Sequence, residues 1–312
     1  MKLLTLVDQY INYRKSLGES FESGSWRLKA FVRTLEPGIE LSEVKPDSVI
    51  SFLTGGTFAV TRSWHVRHSA LRGFYKYVIS RGYADTSLLP LVIPKQPPRF
   101  LPYIYSTEEV KALINGCFTH HKINSRISPY TMRTILLLLY GSGLRIGEAI
   151  SLKLADVDLN QSLLTIRKTK FYKSRFVPIG EQLTQVLQEY VSWRKQKKYS
   201  QDPQSSFFIG RNRKAVKQPA VGENFRRIRE KVNIRRLDSD QQPRIHDLRH
   251  TFAVHRLTAL YKEGADVQNL VLMLSVYLGH VTLAATSVYL TMTPALLEEA
   301  GHRFEQYTLK EA

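Results

Sequence analysis

Apolar residues in the first ninety positions recur every three or four residues, which is the spacing of short amphipathic helices. The stretch LLTLVDQYINYRKSLG predicts a helix that stops at Gly18, because glycine commonly ends a helix. The stretches SWRLKAFVRTL, KPDSVISFLTGG and TRSWHVRHSALRGFYKYVISRG predict three more. We therefore predict a small helical domain over residues 1–90.

The fourth predicted helix has an apolar face and a basic face. The apolar face is predicted to carry Val66, Leu71, Phe74 and Val78. The basic residues lie largely off that face, and they are Arg62, Arg67, Arg72 and Lys76. A basic helix face suits the phosphate backbone of a nucleic acid, so these four residues are candidate DNA contacts.

Prolines crowd the next stretch, LPLVIPKQPPRFLPYIYS. Proline lacks a backbone donor and fixes one dihedral angle, so several in a short span exclude both a helix and a central strand. We predict a basic linker between two domains over residues 91–104.

From residue 105 onward the pattern indicates a second, mainly helical domain that runs to residue 312. Ser106 followed by Glu109 is a capping-box pattern, and SPYTMRTILLLLYGSG predicts a core helix ended by glycines. The stretch SLLTIRKTKFYKSRFVPIG alternates around a polar turn and predicts a β-hairpin. After Gly180 the pattern is helical again, apart from the apolar stretch SFFIG. The predicted fold class is mainly α with a small β-hairpin or sheet.

Composition narrows the class of partner. The chain has 312 residues and a formal net charge of +18, which favours a nucleic acid partner over the alternative of an unrelated basic enzyme. The single cysteine, Cys117, excludes a disulfide framework and a cysteine-based zinc site. The longest apolar runs fall short of the ~20 residues of a membrane helix. We expect a soluble, cytoplasmic protein without a metal or other cofactor.

The stretch RIHDLRHTFAVHRL places His246, Arg249 and His250 on one face at the start of an apolar helix. Cations at a helix N-terminus oppose the helix dipole, so an anion is expected to balance them. That anion is either a buried carboxylate or a phosphate from outside the protein. Of the three residues, we interpret His250 as structural, either packed or capping.

Three other short motifs place polar residues within otherwise apolar stretches of the second domain. They are Arg145 in GSGLRIGE, Lys170 in RKTKFYKSR, and the pair His280 and Tyr289 in YLGHVTLAATSVYLT. Taken singly, each has an ordinary structural explanation, such as a surface ion pair, a solvated turn, a helix cap or a core tyrosine.

Taken together, these residue types fit the cleavage of a phosphodiester. Arginines grip phosphate oxygens and stabilise the charge of a pentacoordinate transition state. Histidines and a lysine supply acid–base groups, and a tyrosine supplies a nucleophile. Surrounding cations are predicted to lower the pKa of the tyrosine from its usual value near 10. No cluster of carboxylates lies beside these residues in the sequence, which disfavours a two-metal nuclease.

The order of these motifs resembles the catalytic domain of the tyrosine recombinases of the lambda-integrase and Xer type. The resemblance covers about residues 100–300, and it assigns catalytic positions to Arg145, Lys170, His246, Arg249, His280 and Tyr289. The hairpin turn lacks the glycine that is common in the family. The choice between Lys170 and Lys173 as the catalytic lysine therefore stays open, and Lys173 is otherwise a DNA contact.

The resemblance implies a chemical mechanism and an assembly. Tyr289 is expected to form a 3′-phosphotyrosine link, with strand exchange through a Holliday junction in a homotetramer on synapsed DNA. Residues 1–90 resemble the family's helical core-binding (SAM-like) domain, which forms a C-shaped clamp around DNA with the catalytic domain. A C-terminal helix with Leu296, Leu297, Ala300 and Phe304 on one face resembles the helix that the family's protomers exchange. Before synapsis a dimer or monomer is expected, with other recombinases or DNA-bending proteins as further partners.

The long segment LTALYKEGADVQNLVLMLSVYLGH favours a recombinase of a mobile element, acting in integration, excision or transposition, over a chromosome resolvase. Three alternatives remain open: a type IB topoisomerase-like enzyme, an inactive DNA-binding relative, and an enzyme acting on RNA.

Residues 211–236 are densely basic, and many of them are expected to contact phosphates rather than only to solvate the surface. The basic residues of this segment are Arg211, Arg213, Lys214, Lys217, Arg226, Arg227, Arg229, Lys231, Arg235 and Arg236. Arg211, Arg213, Lys214, Arg226 and Arg227 are the candidate DNA contacts among them.

Overall fold

The computed structural model describes residues 1–56, 60–97, 101–167, 174–237, 241–279 and 282–291, together with residues 298, 301 and 305. The chain folds as two compact units that divide near residue 100. The predicted fold class is confirmed, because the described residues are mainly helical and include a small antiparallel sheet. None of the helices in this described part is both long and apolar enough to cross a bilayer.

The first unit is built from helices around its own apolar core. In the described residues these helices are α1 (Leu3–Ser16), α2 (Glu22–Arg33), α3 (Pro46–Thr54) and α4 (Arg62–Ser80). The side chain of Thr61 accepts a hydrogen bond from the backbone of Trp64 and so caps α4. The core includes the buried residues Leu6, Phe31, Leu53, Leu71 and Phe74.

The predicted apolar face of α4 is partly wrong. Leu71, Phe74 and Val78 are buried as expected, but Val66 is 43% exposed. Val66 lies five residues before Leu71, which places it about 140° around the helix from that residue. Trp64 is buried instead, because it precedes Leu71 by two full turns.

The second unit contains eight of the helices in the described residues. They are α5 (Thr107–Thr119), α6 (Pro129–Ser142), α7 (Ile146–Ile150), α8 (Glu181–Gln196), α9 (Gln218–Lys231), α10 (Asp247–Lys262), α11 (Val267–Leu278) and α12 (Ala284–Thr291). The capping box of Ser106 and Glu109 is confirmed at the start of α5. Helix α6 ends at Gly143 in the left-handed conformation, as the glycines of its sequence predicted.

A three-stranded antiparallel sheet joins β1 (Val157–Asp158), β2 (Leu163–Ile166) and β3 (Arg175–Pro178) in that order. The pairing of Leu164 with Val177 confirms the two predicted strands of the hairpin. Strand β1 was not predicted, because two residues are too few to show an alternating pattern. The stretch SFFIG contributes two isolated bridges to the described structure, between Ser206 and Lys153 and between Ile209 and Ala215.

Two groups of buried side chains support the second unit. The main cluster is centred on α6 and includes Ile135, Leu136, Leu138 and Leu139. A smaller group, here the α10–α12 cluster, consists of Ala253, Val254, Leu257, Leu270, Val271, Leu274, Leu278 and Tyr289. Tyr277 is partly buried and packs against both groups.

Candidate active site

Arg249 lies in the first turn of α10 and is almost completely buried, with 2% of its surface exposed. One guanidinium nitrogen donates to the carbonyl of Gly143 and the other donates to the carbonyl of Leu278, both at 2.7 Å. These carbonyls stand at the C-terminal ends of α6 and α11, where the helix dipole is negative. Burial and the nearby Arg145 lower the pKa of Arg249 to about 10, so the side chain stays charged near neutral pH.

A buried carboxylate accompanies Arg249 at the start of α10. Asp247 is fully buried, and it accepts hydrogen bonds from the backbone and the guanidinium of Arg244 at 2.8 and 3.0 Å. Asp247 thus pairs with Arg244, whereas the hydrogen bonds of Arg249 go to the carbonyls of Gly143 and Leu278. The guanidinium of Arg249 is thus held in place by backbone carbonyls.

Arg145, directly before α7, belongs to a network around one carboxylate. Its guanidinium donates to Glu148 at 2.9 Å and to the carbonyl of Gly279 at 3.2 Å, and its backbone donates to Glu148 at 3.0 Å. Arg175 on β3 grips both oxygens of Glu148, at 3.0 and 2.8 Å. Arg175 also donates to the carbonyl of Tyr277 at 3.2 Å. The network thus joins α7, β3 and the end of α11.

Gly279 allows this close approach. Its φ is +66°, a conformation that favours glycine, and an added Cβ would lie 2.9 Å from a guanidinium nitrogen of Arg175. The turn that precedes residue 280 is therefore packed directly against Arg175.

The charge of Glu148 gives a pH-dependent contribution to stability. Burial alone would raise the pKa of Glu148, but the hydrogen bonds and charges of Arg175 and Arg145 lower it to about 2. Because the folded-state pKa lies below the unfolded value, this contribution is present above the unfolded pKa, near 4.5, and is lost as the pH falls towards 2. This contribution of Glu148 to the free energy of unfolding is on the order of 3 kcal/mol.

We expect Glu148→Gln to lower the free energy of unfolding at neutral pH, because both arginines lose their anionic partner. The variant should also lose part of the decline in stability that the wild type shows between about pH 4.5 and pH 2. Urea unfolding over that range measures both effects. An unchanged slope of stability against pH in the variant would contradict this role for Glu148.

Tyr289 lies on α12 with 2% of its surface exposed. Its hydroxyl is 3.0 Å from Nδ1 of His250, and the two rings are 5.6 Å apart. His246, one turn earlier, packs edge to face against His250 at 5.1 Å. Burial, followed by the charge of Arg249, lowers the pKa of His246. The contact of His250 with the tyrosine hydroxyl was not predicted from the sequence pattern.

The prediction that cations lower the pKa of Tyr289 is wrong for the net shift. Burial raises the pKa of this hydroxyl, and the charges of Arg249 and Arg145 offset burial only in part. A buried phenol in this position needs help to lose its proton near neutral pH.

The structure brings four of the six candidate catalytic residues into one neighbourhood. Arg145 and Arg249 bind the adjacent carbonyls of Gly279 and Leu278, and the charges of both act on Tyr289 and on His246. Lys170 and its rival Lys173, together with His280, lie outside the described residues. The sequence reasoning missed Glu148 and Arg175, although Glu148 follows Arg145 by three residues and could have been paired with it.

The candidate DNA contacts of α4 differ in their surroundings. Arg62, Arg72 and Lys76 are exposed. Arg67 instead donates to the carbonyls of Phe52 and Leu53 at 3.0 and 3.3 Å, where it satisfies the C-terminal end of α3.

The candidates in residues 211–236 also divide into two groups. Arg213, Lys214 and Arg226 are exposed. Arg211 is exposed too, but it binds the carbonyl of Ile123 and the ring of His121, and Arg227 donates to Asn224 at 2.8 Å. Arg229, which is not one of these five candidates, is buried and donates to the carbonyl of Pro243 at 2.8 Å.

The sequence matches the phage integrase family over residues 105–295. The Sinorhizobium fredii protein y4rB, provisionally described as an integrase/recombinase, is 32% identical to this chain, and the match covers 96% of each chain. The tyrosine recombinase XerA of Thermococcus kodakarensis is 30% identical, over 76% of this chain and 81% of the relative. The protein therefore belongs to the phage integrase family of tyrosine-type site-specific recombinases.

Solved structures share the fold. A lambda integrase tetramer bound to a Holliday junction matches with a TM-score of 0.64 and 17% identity, over 93% of this chain and 77% of that one. The integrase of the transposon Tn1549, in complex with transposon right end DNA, matches with a TM-score of 0.65 and 16% identity, over 98% of this chain and 99% of that one.

Proposed function

We propose that the protein cleaves and rejoins double-stranded DNA through a 3′-phosphotyrosine intermediate, with Tyr289 as the nucleophile. The observation that carries the proposal is the placing of the Tyr289 hydroxyl among an imidazole and two arginines at the ends of helices. Family membership supports the same chemistry.

In the proposed reaction, the phenolic oxygen of Tyr289 attacks phosphorus, and the bond from phosphorus to the 5′-oxygen breaks. Arg145 and Arg249 stabilise the charge on the non-bridging oxygens. His246 and His280 hydrogen-bond the same phosphate, and Lys170 or Lys173 protonates the 5′-oxygen as it leaves. The phosphotyrosine conserves the bond energy, so rejoining needs neither ATP nor a metal ion.

The proposed DNA-binding surface draws on both parts of the chain. Residues 1–90 form a core-binding domain, residues 91–104 form a linker, and residues 105–312 form the catalytic domain of a clamp around DNA. Its proposed phosphate contacts are the exposed candidate cations other than Arg211, whose side chain already binds Ile123 and His121. These proposed contacts are Arg62, Arg72, Lys76, Arg213, Lys214 and Arg226.

The proposed assembly on synapsed DNA is a homotetramer that passes through a Holliday junction. A groove of about 500 Å³ runs beside α10 and α11 and is lined by apolar side chains that include Phe252, Leu270 and Leu274. We assign this groove to the C-terminal helix of a neighbouring copy, whose apolar residues Leu296, Leu297, Ala300 and Phe304 lie outside the described residues. The lambda integrase tetramer bound to a Holliday junction supports the proposed tetrameric state.

The proposed setting is the cytoplasm, where the protein integrates, excises or transposes a mobile element. The likeness to the transposon integrase supports a role in the movement of a mobile element.

Two-duplex strand exchange tests the proposal against a topoisomerase-like activity. The site is first recovered by incubating the protein with genomic DNA, denaturing it, and sequencing the DNA that stays attached. Two labelled duplexes with this site are then incubated with the protein, and we expect duplexes that join the two labels. Relaxation of supercoiled DNA without joined duplexes would instead support the topoisomerase-like alternative.

A further inference from the structure

Helix α10 presents two histidines that make the same contact with two different tyrosines. Nδ1 of His250 is 3.0 Å from the hydroxyl of Tyr289, and Nδ1 of His255 is 3.0 Å from the hydroxyl of Tyr140. Only the first pair contains the proposed nucleophile. The second pair lies more than one helical turn further along α10.

We propose that His250 is the proton acceptor for the Tyr289 hydroxyl during DNA cleavage, an inference that rests on the proposed function of Tyr289 as the nucleophile. In the tautomer with its proton on Nε2, the Nδ1 atom of His250 carries a lone pair directed at the phenol. The 3.0 Å separation is a hydrogen-bonding distance, so no rearrangement is needed for the transfer.

The groups near Tyr289 differ from His250 in whether they can accept the proton of the hydroxyl. Arginines carry donors only, so Arg249 and Arg145 stabilise a phenolate but do not take its proton. Glu148 already accepts hydrogen bonds from Arg145 and Arg175. Burial raises the pKa of Tyr289, so the phenolate is scarce near neutral pH and a base is needed.

The same proton moves in opposite directions during cleavage and rejoining of the DNA. During cleavage the Oη–H bond of Tyr289 breaks, the proton passes to Nδ1 of His250, and Oη bonds to phosphorus as the 5′-oxygen departs. During rejoining the 5′-hydroxyl attacks phosphorus, and the imidazolium of His250 returns the proton to Oη as the tyrosine leaves. His250 therefore acts on both steps.

Substitution by asparagine separates proton transfer from positioning. In His250→Asn the side-chain oxygen is expected to lie near the place of Nδ1, so it keeps a hydrogen-bond acceptor for Tyr289 but is not basic. His250→Ala removes both properties. His255→Asn is the matched control, because it changes the equivalent contact with Tyr140 on the same helix.

The measurement is single-turnover formation of the covalent complex on a nicked duplex that carries the site recovered by covalent capture. We expect His250→Asn to lose about 10²- to 10⁴-fold in cleavage rate, and rejoining to slow by a similar factor. His250→Ala should be at least as slow, and His255→Asn should keep the wild-type rate. Thermal melting and DNA binding confirm that each variant is folded.

The pH dependence gives a readout that a structural role would not produce. Without an internal base, the rate follows the fraction of phenolate, so it should rise about tenfold per pH unit above about pH 7 in His250→Asn. The wild-type rate should rise less steeply. Among the described residues, the charged and titratable groups that act on Tyr289 or pack against His250 include Arg249, Arg145 and His246.

The outcomes separate this inference from the proposed function. A wild-type cleavage rate in His250→Asn, with or without a loss in His250→Ala, would overturn proton acceptance by His250. If Tyr289→Phe still formed the covalent complex, the proposed function itself would fail. A slow His250→Asn with a steep pH dependence, together with an inactive Tyr289→Phe, supports both.

Discussion

Tyr289→Phe is expected to abolish the covalent protein–DNA complex. The variant loses the only atom that can bond to phosphorus in the proposed reaction, while the ring keeps its place in the α10–α12 cluster. The cost in stability is that of the hydrogen bonds of the hydroxyl with His250 and Arg249, about 1 kcal/mol each. DNA binding should persist, because the lost hydroxyl is buried and contributes no charge. Gel analysis after denaturation measures the complex, and a gel shift measures binding.

Tyr140→Phe supplies the matched control for this experiment. It removes a tyrosine hydroxyl that makes the same 3.0 Å contact with a histidine of α10, and it should leave the covalent yield unchanged. Covalent DNA at wild-type yield in Tyr289→Phe would place the nucleophile elsewhere in the chain.

Arg249→Ala is expected to reduce cleavage by about 10²- to 10³-fold or more, because it removes a fixed positive charge from the transition state. Binding to intact DNA should be reduced much less, since the side chain is buried and the exposed cations remain. The variant should also be less stable. The carbonyls of Gly143 and Leu278 each lose a donor, and an unsatisfied buried acceptor costs about 1–3 kcal/mol.

Arg249→Lys separates the two effects. Lysine restores the charge but has a single ammonium group in place of the planar fork, so it cannot reproduce both hydrogen bonds in the same geometry. Rates are compared at a temperature where thermal melting shows every variant to be folded. Cleavage by folded Arg249→Ala at the wild-type rate would remove Arg249 from the catalytic set.

Local patterns in the sequence predicted much of the fold but only part of the site. Capping residues such as Ser106 and the paired strands around Leu164 and Val177 follow from short-range chemistry, and they are confirmed. The resemblance to the family motifs predicted that Arg145 and Arg249 belong to the site. The carbonyls that hold Arg249, however, come from the ends of two other helices. No spacing of residues in the sequence predicts that the ends of these two helices lie against Arg249.

Three other features of the site were not predicted from the sequence for the same reason. The bidentate grip of Arg175 on Glu148 joins residues 27 positions apart. The raised pKa of Tyr289 depends on burial that a pattern of apolar residues does not report. The contact of His250 with Tyr289 joins residues 39 positions apart on different helices, so no local pattern predicts it. Each of these features depends on contacts between elements that are distant in the sequence.

The division of buried side chains into two groups has a consequence for motion. Tyr289 packs in the α10–α12 cluster and not among the larger set of side chains around α6. Proteins open locally in cooperative units of different stability, and units with few buried apolar contacts open at the lower free energies. We therefore expect the helix that carries the nucleophile to come away and return more readily than α6 unfolds. Its backbone amides should exchange with solvent deuterium sooner than those of α6.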